Sequence, residues 1–232
     1  MGFNMNKYTD PSRNIGSTEF EVDKSIISNF VLEKLTPLTR TYPLDELMLM
    51  SAAVCRFKPR LILEWGTNIG LSAKIFYEIT ESFGLNSEIH SIDLPDDVVH
   101  SEHDPNVVGS IIKGINKINL HKGDGLTCAL DIIKKNNIIG NVLFFIDGDH
   151  HYDSVKKELS TILENVNNAV ILLHDTLYQS EDSGYYVGPH NAITDVLNNE
   201  ILNDRGPYKR INMNIGGPGM SLIFNSNMLR IK

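Results

Sequence analysis

LILEWGTNIGLS, Leu61 to Ser72, joins a short apolar run to a glycine turn and then to a helical pattern. Leu61, Ile62 and Leu63 suit a strand buried on both faces of a parallel sheet. Gly66 and Gly70 bracket the turn, and small residues there let the backbone approach a ligand. Three glycines at relative positions one, three and six would mark a dinucleotide site, and Gly-Lys-Ser or Gly-Lys-Thr a phosphate loop. Neither pattern is present. An acid, Glu64, stands instead two residues before Gly66. A carboxylate there repels a pyrophosphate but attracts an amino group or orders the loop, so the expected ligand is cationic or zwitterionic at this end.

Downstream, Leu71 to Phe83 reads as a crossover helix with Ile75, Phe76 and Ile79 inward and Gly84 as its stop. Glu88 to Asp93 follows as a second strand. Asp93 lies 23 residues after Gly70, where Rossmann-like folds place the acid that accepts from ribose hydroxyls. Residues 94–106 are acid-rich, and His100 and His103 with Asp97 or Asp104 would make a metal site. That spacing is not diagnostic without a second ligand pair, so a solvated loop is expected. Val107 to Ile115 is expected as a short helix and Ile118 to His121 as a third strand, followed by Gly123, Asp124 and Gly125.

Residues 141–176, NVLFFIDGDHHYDSVKKELSTILENVNNAVILLHDT, hold two strands and one helix. Val142 to Ile146 ends in Asp147, and Ala169 to Leu173 ends in His174, Asp175 and Thr176. Val155, Leu159, Ile162 and Leu163 give the helix between them its buried face. Both strand ends belong on the carboxyl edge of one parallel sheet, where doubly wound folds bind ligands. Acids crowded at that edge need a cation or hydrogen-bond donors to offset them.

These residues carry a resemblance. The Glu64, Gly66, Gly70 arrangement resembles motif I of class I S-adenosylmethionine-dependent methyltransferases, and IDGDHHYDSVKKEL followed by LLHDT resembles methyltransferase family 24. More distantly, the chain is similar to cephalosporin-hydroxylase-like, sugar and catechol O-methyltransferases over Leu61 to Leu197. The resemblance implies S-adenosylmethionine as cofactor, with Thr67, Asn68 and Ser72 near its methionine moiety, Asp93 on the ribose, Asp124 and Gly125 near the adenine, and Asp147 alongside. Asp124 also reads as a plain helix cap. In metal-dependent relatives the acids at the Asp147 and Asp175 positions bind a divalent cation, usually magnesium. This chain departs from several of them in carrying His174 where they have Glu or Asp, and an imidazole suits a softer ion. His150 stands where the catechol enzymes have a catalytic lysine. An imidazole of ordinary pKa takes a proton from a hydroxyl near neutral pH, so His150 is expected as the base, with Asp149 able to orient it or His151.

The rest of the chain bounds this reading. Its 232 residues and 41% hydrophobic content suit one α/β domain. A net charge of −8 with no basic stripe argues against nucleic acid. Cys55 and Cys128 read as reduced thiols of a cytoplasmic protein, and no secretory, membrane-spanning or myristoylation signal is read. Residues 1–16 form an arm. A helix capped by Ser17 or Thr18 runs to Pro37, and Leu44 to Phe57 forms a second helix, so residues 1–58 are expected to pack on a methyltransferase domain of residues 59–232. Tyr178 to Gly188, with Tyr185 and Tyr186, has the composition of a lid. Pro189 to Leu202 is expected as a helix, and Tyr208 to Asn214 and Met220 to Asn225 as a terminal antiparallel pair.

The expected fold is a Rossmann-like, doubly wound, seven-stranded sheet, mostly parallel with an antiparallel C-terminal strand and helices on both faces. The expected function is methyl transfer, metal-assisted or not, to a hydroxyl of a small molecule or glycan; the alternative is a non-catalytic module that binds the cofactor. No nucleic-acid or membrane partner is expected, and self-association stays open.

Overall fold

The computed structural model describes residues 8–12, 19–38, 42–99, 104–137, 139–184, 186–198 and 208–229. Seven strands form one sheet in the order β3-β2-β1-β4-β5-β7-β6. They are β1 (Leu61–Trp65), β2 (Glu88–Asp93), β3 (Ile118–Lys122), β4 (Val142–Ile146), β5 (Ala169–His174), β6 (Tyr208–Met213) and β7 (Met220–Asn225). The first five are parallel, and β7 runs antiparallel between β5 and β6. This is the doubly wound, mostly parallel fold expected from the sequence.

Among the described residues, six α-helices cover the sheet: α1 (Lys24–Phe30), α2 (Leu44–Phe57), α3 (Leu71–Ser82), α4 (Gly125–Asn136), α5 (Tyr152–Asn165) and α6 (Gly188–Leu197). Strand alternation sorts the side chains into two cores. Ile62, Leu143, Phe145, Val170 and Leu172 face α1, α2 and α3, together with Phe30, Leu47, Met50 and Phe76. Leu61, Leu63, Trp65, Phe144, Ile146 and Leu173 face α4, α5 and α6. The N-terminal helices thus share a core with the sheet.

Three local expectations are corrected. Helix α1 is capped by Asp23, whose side chain accepts from the Ser25 and Ile26 amides; Ser17 and Thr18 lie outside the described residues. It continues through one π-helical turn, Val31–Leu35. Residues 107–115 form turns rather than a helix, because Gly109 and Gly114 adopt positive φ and two of the segment's amides bond elsewhere. The Gly109 amide donates to Asn68 O at 2.7 Å, and that of Ile111 to Ile69 O at 3.1 Å. The segment is stitched to the glycine loop and keeps only i→i−3 turn bonds of its own, such as Ser110 N–H to Val107 O and Ile112 N–H to Gly109 O. Helix α6 ends at Leu197, and Leu202 and Tyr185 lie outside the described residues, as do His100 and His103.

Candidate active site

The glycine loop is held by side chains that point into the protein. Glu64 pairs in register with Ser91 and Phe145, so alternation turns it toward the α2 and α3 face, where it is completely buried. The Ser91 hydroxyl lies 2.5 Å from Glu64 Oε1 and 2.7 Å from Thr67 Oγ1. Ser72 is buried beside the same carboxylate. Burial pushes the Glu64 carboxyl up to about 7 despite bonds from the Ser91 and Ser72 hydroxyls, with the Asp147 charge adding to the rise. Glu64, Thr67 and Ser72 therefore form the floor of the loop, and Asn68 is exposed at its rim.

A carboxyl raised in the fold holds its proton more tightly there than in the unfolded chain, so stability falls as pH rises from 4.5 toward about 7. Glu64→Gln should flatten that slope. Denaturation midpoints measured from pH 4 to 8 check it; an unchanged slope would mean that the carboxylate is ionised in the fold.

Asp93 closes the loop from β2: its Oδ2 accepts from the Asn68 amide at 2.9 Å and its Oδ1 from the Leu94 amide at 2.7 Å. Asp124 caps α4 by accepting from the Thr127 amide at 2.9 Å, as the plainer reading had it. Gly125 opens that helix against Trp65, where a Cβ would lie 2.4 Å from the indole Cγ. Trp65 Nε1 donates to Glu158 Oε1 at 3.0 Å. Asp149 accepts from the Ser154 hydroxyl and from His151, so it orients His151 rather than His150.

The ends of β4 and β5 bring Asp147, His150, His174 and Asp175 together. Asp175 has φ +55, a left-handed conformation uncommon outside glycine that turns its side chain back toward β4. His174 Nδ1 is 3.0 Å from Asp147 Oδ1 and 3.3 Å from Asp175 Oδ2, and its Nε2 is 3.0 Å from Glu46 Oε2. The Tyr42 hydroxyl donates to Asp147 Oδ2 at 3.2 Å. His150 Nε2 is 2.7 Å from Asp175 Oδ2 and 3.8 Å from Asp147 Oδ1, off the line of a directed hydrogen bond. Tyr186 of the 178–188 segment stacks on the His150 ring, with centroids 4.7 Å apart. Tyr42 and Glu46 were missed in the sequence. Glu46 falls in the first turn of α2, where acids are ordinary, and nothing local marks Tyr42.

Charge follows from this packing. Both nitrogens of His174 face carboxylates, and a neutral imidazole has only one N–H to donate, so the ring is an imidazolium. Burial opposes that charge, but Asp147, Asp175 and Glu46 outweigh it and push His174 up to about 12. Burial also opposes charge on His150, and Asp147 and Asp175 again win, raising it to about 10. This corrects the sequence expectation of a neutral base: with no other group bound, His150 is a cation at neutral pH. Asp147 is held below the usual carboxylate range: burial raises it, and the His174 charge, with the bond from His174 and the nearby His150 ring, lowers it further.

Among the described residues, Asp147, His174 and Asp175 form the one group of three metal-type side chains whose donor atoms all lie within 4.8 Å of one another. The donor set suits a divalent ion. An imidazole that gives its Nε2–H to Glu46 can turn an unprotonated Nδ1 toward an ion, the usual arrangement behind metal-bound histidine.

Residues 63–176 match a family described as a methyltransferase domain, family 24. That segment is a methyltransferase domain. The match starts within β1 and ends just past β5, taking in the glycine loop and the acid–histidine cluster of this methyltransferase. No curated protein matches the chain. Among solved structures, it is similar to the apo form of CalS11, a TDP-rhamnose 3'-O-methyltransferase of calicheamicin biosynthesis. The TM-score is 0.54 at 16% identity, over 84% of this chain and 86% of that one. It is also similar to a Staphylococcus aureus protein assigned as a caffeoyl-CoA O-methyltransferase, with TM-score 0.52 and 13% identity, over 88% of this chain and 93% of that one. At these identities the likeness is one of fold. No described helix of this methyltransferase is long and apolar enough to cross a membrane.

Proposed function

We propose that this methyltransferase moves the methyl group of S-adenosylmethionine to a hydroxyl of a small molecule or a sugar. The observation that carries this reading is the shared edge of the sheet. Within the family-matched segment, the glycine loop after β1 adjoins the acid–histidine cluster after β4 and β5, and Gly66 lies against the Asp147 backbone. Both structural neighbours described above are named as O-methyltransferases.

The cofactor lies over Gly66 to Gly70, with Asp93 toward its ribose and the Asp124–Gly125 turn toward its adenine. Its methyl carbon is already electrophilic, so the protein's task is to align the acceptor oxygen in line with the C–S bond and exclude water. Asp147, Asp175 and His150 form the acceptor wall. As the O–C bond forms and the C–S bond breaks, the hydroxyl proton becomes strongly acidic. With His150 charged, a carboxylate takes it, and Asp175, 2.7 Å from His150 Nε2, is the acceptor we assign. A divalent ion here would be held by Asp147, His174 and Asp175 and would acidify the hydroxyl as a Lewis acid. With a nitrogen in the set, manganese or zinc suits it better than magnesium, which prefers oxygen ligands alone.

Calorimetric titration with S-adenosylhomocysteine, with and without magnesium or manganese and with NAD as control, tests the cofactor. Micromolar binding is expected, and no binding, or a preference for NAD, would end this reading. Transfer of tritiated methyl to a panel of nucleotide-linked sugars and catechols tests the reaction; binding without transfer would favour a ligand-binding module. His150→Ala should lower turnover about a hundredfold with little change in cofactor affinity. The pH dependence carries a sign. A charged His150 predicts a rate with no inflection near 6.5 and a loss only toward about 10, whereas a neutral base would give a rise through 6.5.

A further inference from the structure

Helix α2 sends a carboxylate into the cluster from outside the family-matched segment. Glu46 is 1% exposed. Its Oε1 accepts the Gly219 amide at 2.8 Å, and its Oε2 faces His174 Nε2 at 3.0 Å. Each oxygen therefore has one donor from a different part of the fold, the link before β7 and the end of β5. Its neighbours Leu47, Leu49 and Met50 are fully buried, so packing alone would be served by an apolar residue at position 46. A buried acid is costly unless paired, and the pairing here is specific in direction.

The consequence falls on His174. A ring held only at Nδ1 could swing about its side-chain bonds. Held at Nε2 as well, it is fixed across Asp147 and Asp175, with Tyr42 alongside at a centroid distance of 5.3 Å. Asp175 in turn contacts His150. The order Glu46, His174, Asp175, His150 alternates acid and imidazole from the helical layer to the acceptor wall.

We propose that Glu46 is a positioning residue of the methyl-transfer site, acting through His174, so that helix α2 is part of the machinery rather than a cover on the sheet. This rests on the reading of Asp147, Asp175 and His150 as the acceptor wall. Glu46 touches neither cofactor nor acceptor. It sets the direction of His174 Nδ1 and through it the separation of the two acids.

Glu46→Gln in the full chain separates this role from plain scaffolding. The amide oxygen can keep the Gly219 bond, while the amide NH2 meets His174 Nε2–H donor to donor, so the fold contact stays and the histidine contact is lost. Ring-nitrogen 15N spectra at constant pH, without cofactor or acceptor, should show the His174 Nε2–H signal lost or moved relative to wild type. With the best acceptor of the panel, kcat should fall at least about tenfold. Affinity for S-adenosylhomocysteine should stay within about twofold, and the melting temperature should stay near that of wild type. Unchanged ring spectra would overturn the proposal, as would a loss of kcat that follows thermal stability and recovers on cooling. Failure of the wild type to bind S-adenosylhomocysteine would overturn the methyl-transfer reading, and a positioning role in that reaction with it. The ring spectra would still report separately whether Glu46 holds His174.

Discussion

Gly66→Ala is expected to abolish cofactor binding and to destabilise the fold by roughly 3 kcal/mol or more. A Cβ at position 66 would lie 2.1 Å from the Asp147 carbonyl oxygen and 2.8 Å from its carbonyl carbon. Those atoms are backbone at the end of a central strand and cannot rotate away. The φ of +91° adds strain for any residue with a side chain. Relief requires β1 and β4 to part where the loop and the acid cluster adjoin, so binding and stability fail together. Urea denaturation and calorimetry with S-adenosylhomocysteine measure both. Gly216→Ala is the control, since nothing lies within 4 Å of its added Cβ. Wild-type midpoint and affinity in Gly66→Ala would mean that the strand ends are much looser than described.

Asp147→Asn should lower turnover at least about a hundredfold and cost roughly 2–3 kcal/mol of stability at neutral pH. The carboxylate serves His174 Nδ1 with one oxygen and the Tyr42 hydroxyl with the other. A carboxamide has one oxygen, so if it stays on His174 Nδ1 the amide NH2 faces the Tyr42 hydroxyl, which must turn from donor to acceptor, and the imidazolium of His174 loses one of its two nearest counter-charges. The penalty depends on pH. The depressed Asp147 carboxyl contributes above its ordinary 3.8 and loses that contribution as pH falls through its lowered folded value. The raised His174 contributes fully below 6.5 and loses its contribution on the way to about 12. The variant should therefore fall furthest behind wild type between pH 3.8 and 6.5. A difference that grows steadily above pH 8 would contradict these charge states.

The strands were legible because their signals are local. Glu88 to Asp93, Val142 to Ile146 and Met220 to Asn225 are short apolar or alternating runs bounded by polar or turn residues, and each forms at its expected bounds. The 107–115 segment misled for the opposite reason. Its helical spacing is real, but bonds to Asn68 and Ile69, distant in sequence, outbid the local ladder. Among the site residues, Asp147 and Asp175 could be found because a parallel sheet brings the carboxyl ends of its strands to one edge. Glu64 could be located but not oriented without the register that sets it beside Ser91.

By itself, the sequence determined the strand and helix pattern, the glycine loop and the acids that end β1, β4 and β5, because periodicity and turn chemistry are carried by neighbours along the chain. Only the tertiary structure decided which of those polar groups face inward and what charge they carry. His150 looked like a neutral base until two carboxylates from separate strands were placed around it, and Glu46 looked like an ordinary helix acid until it met His174, 128 residues away. Protonation depends on burial and on charges within a few ångströms, and those distances exist only once the chain has folded.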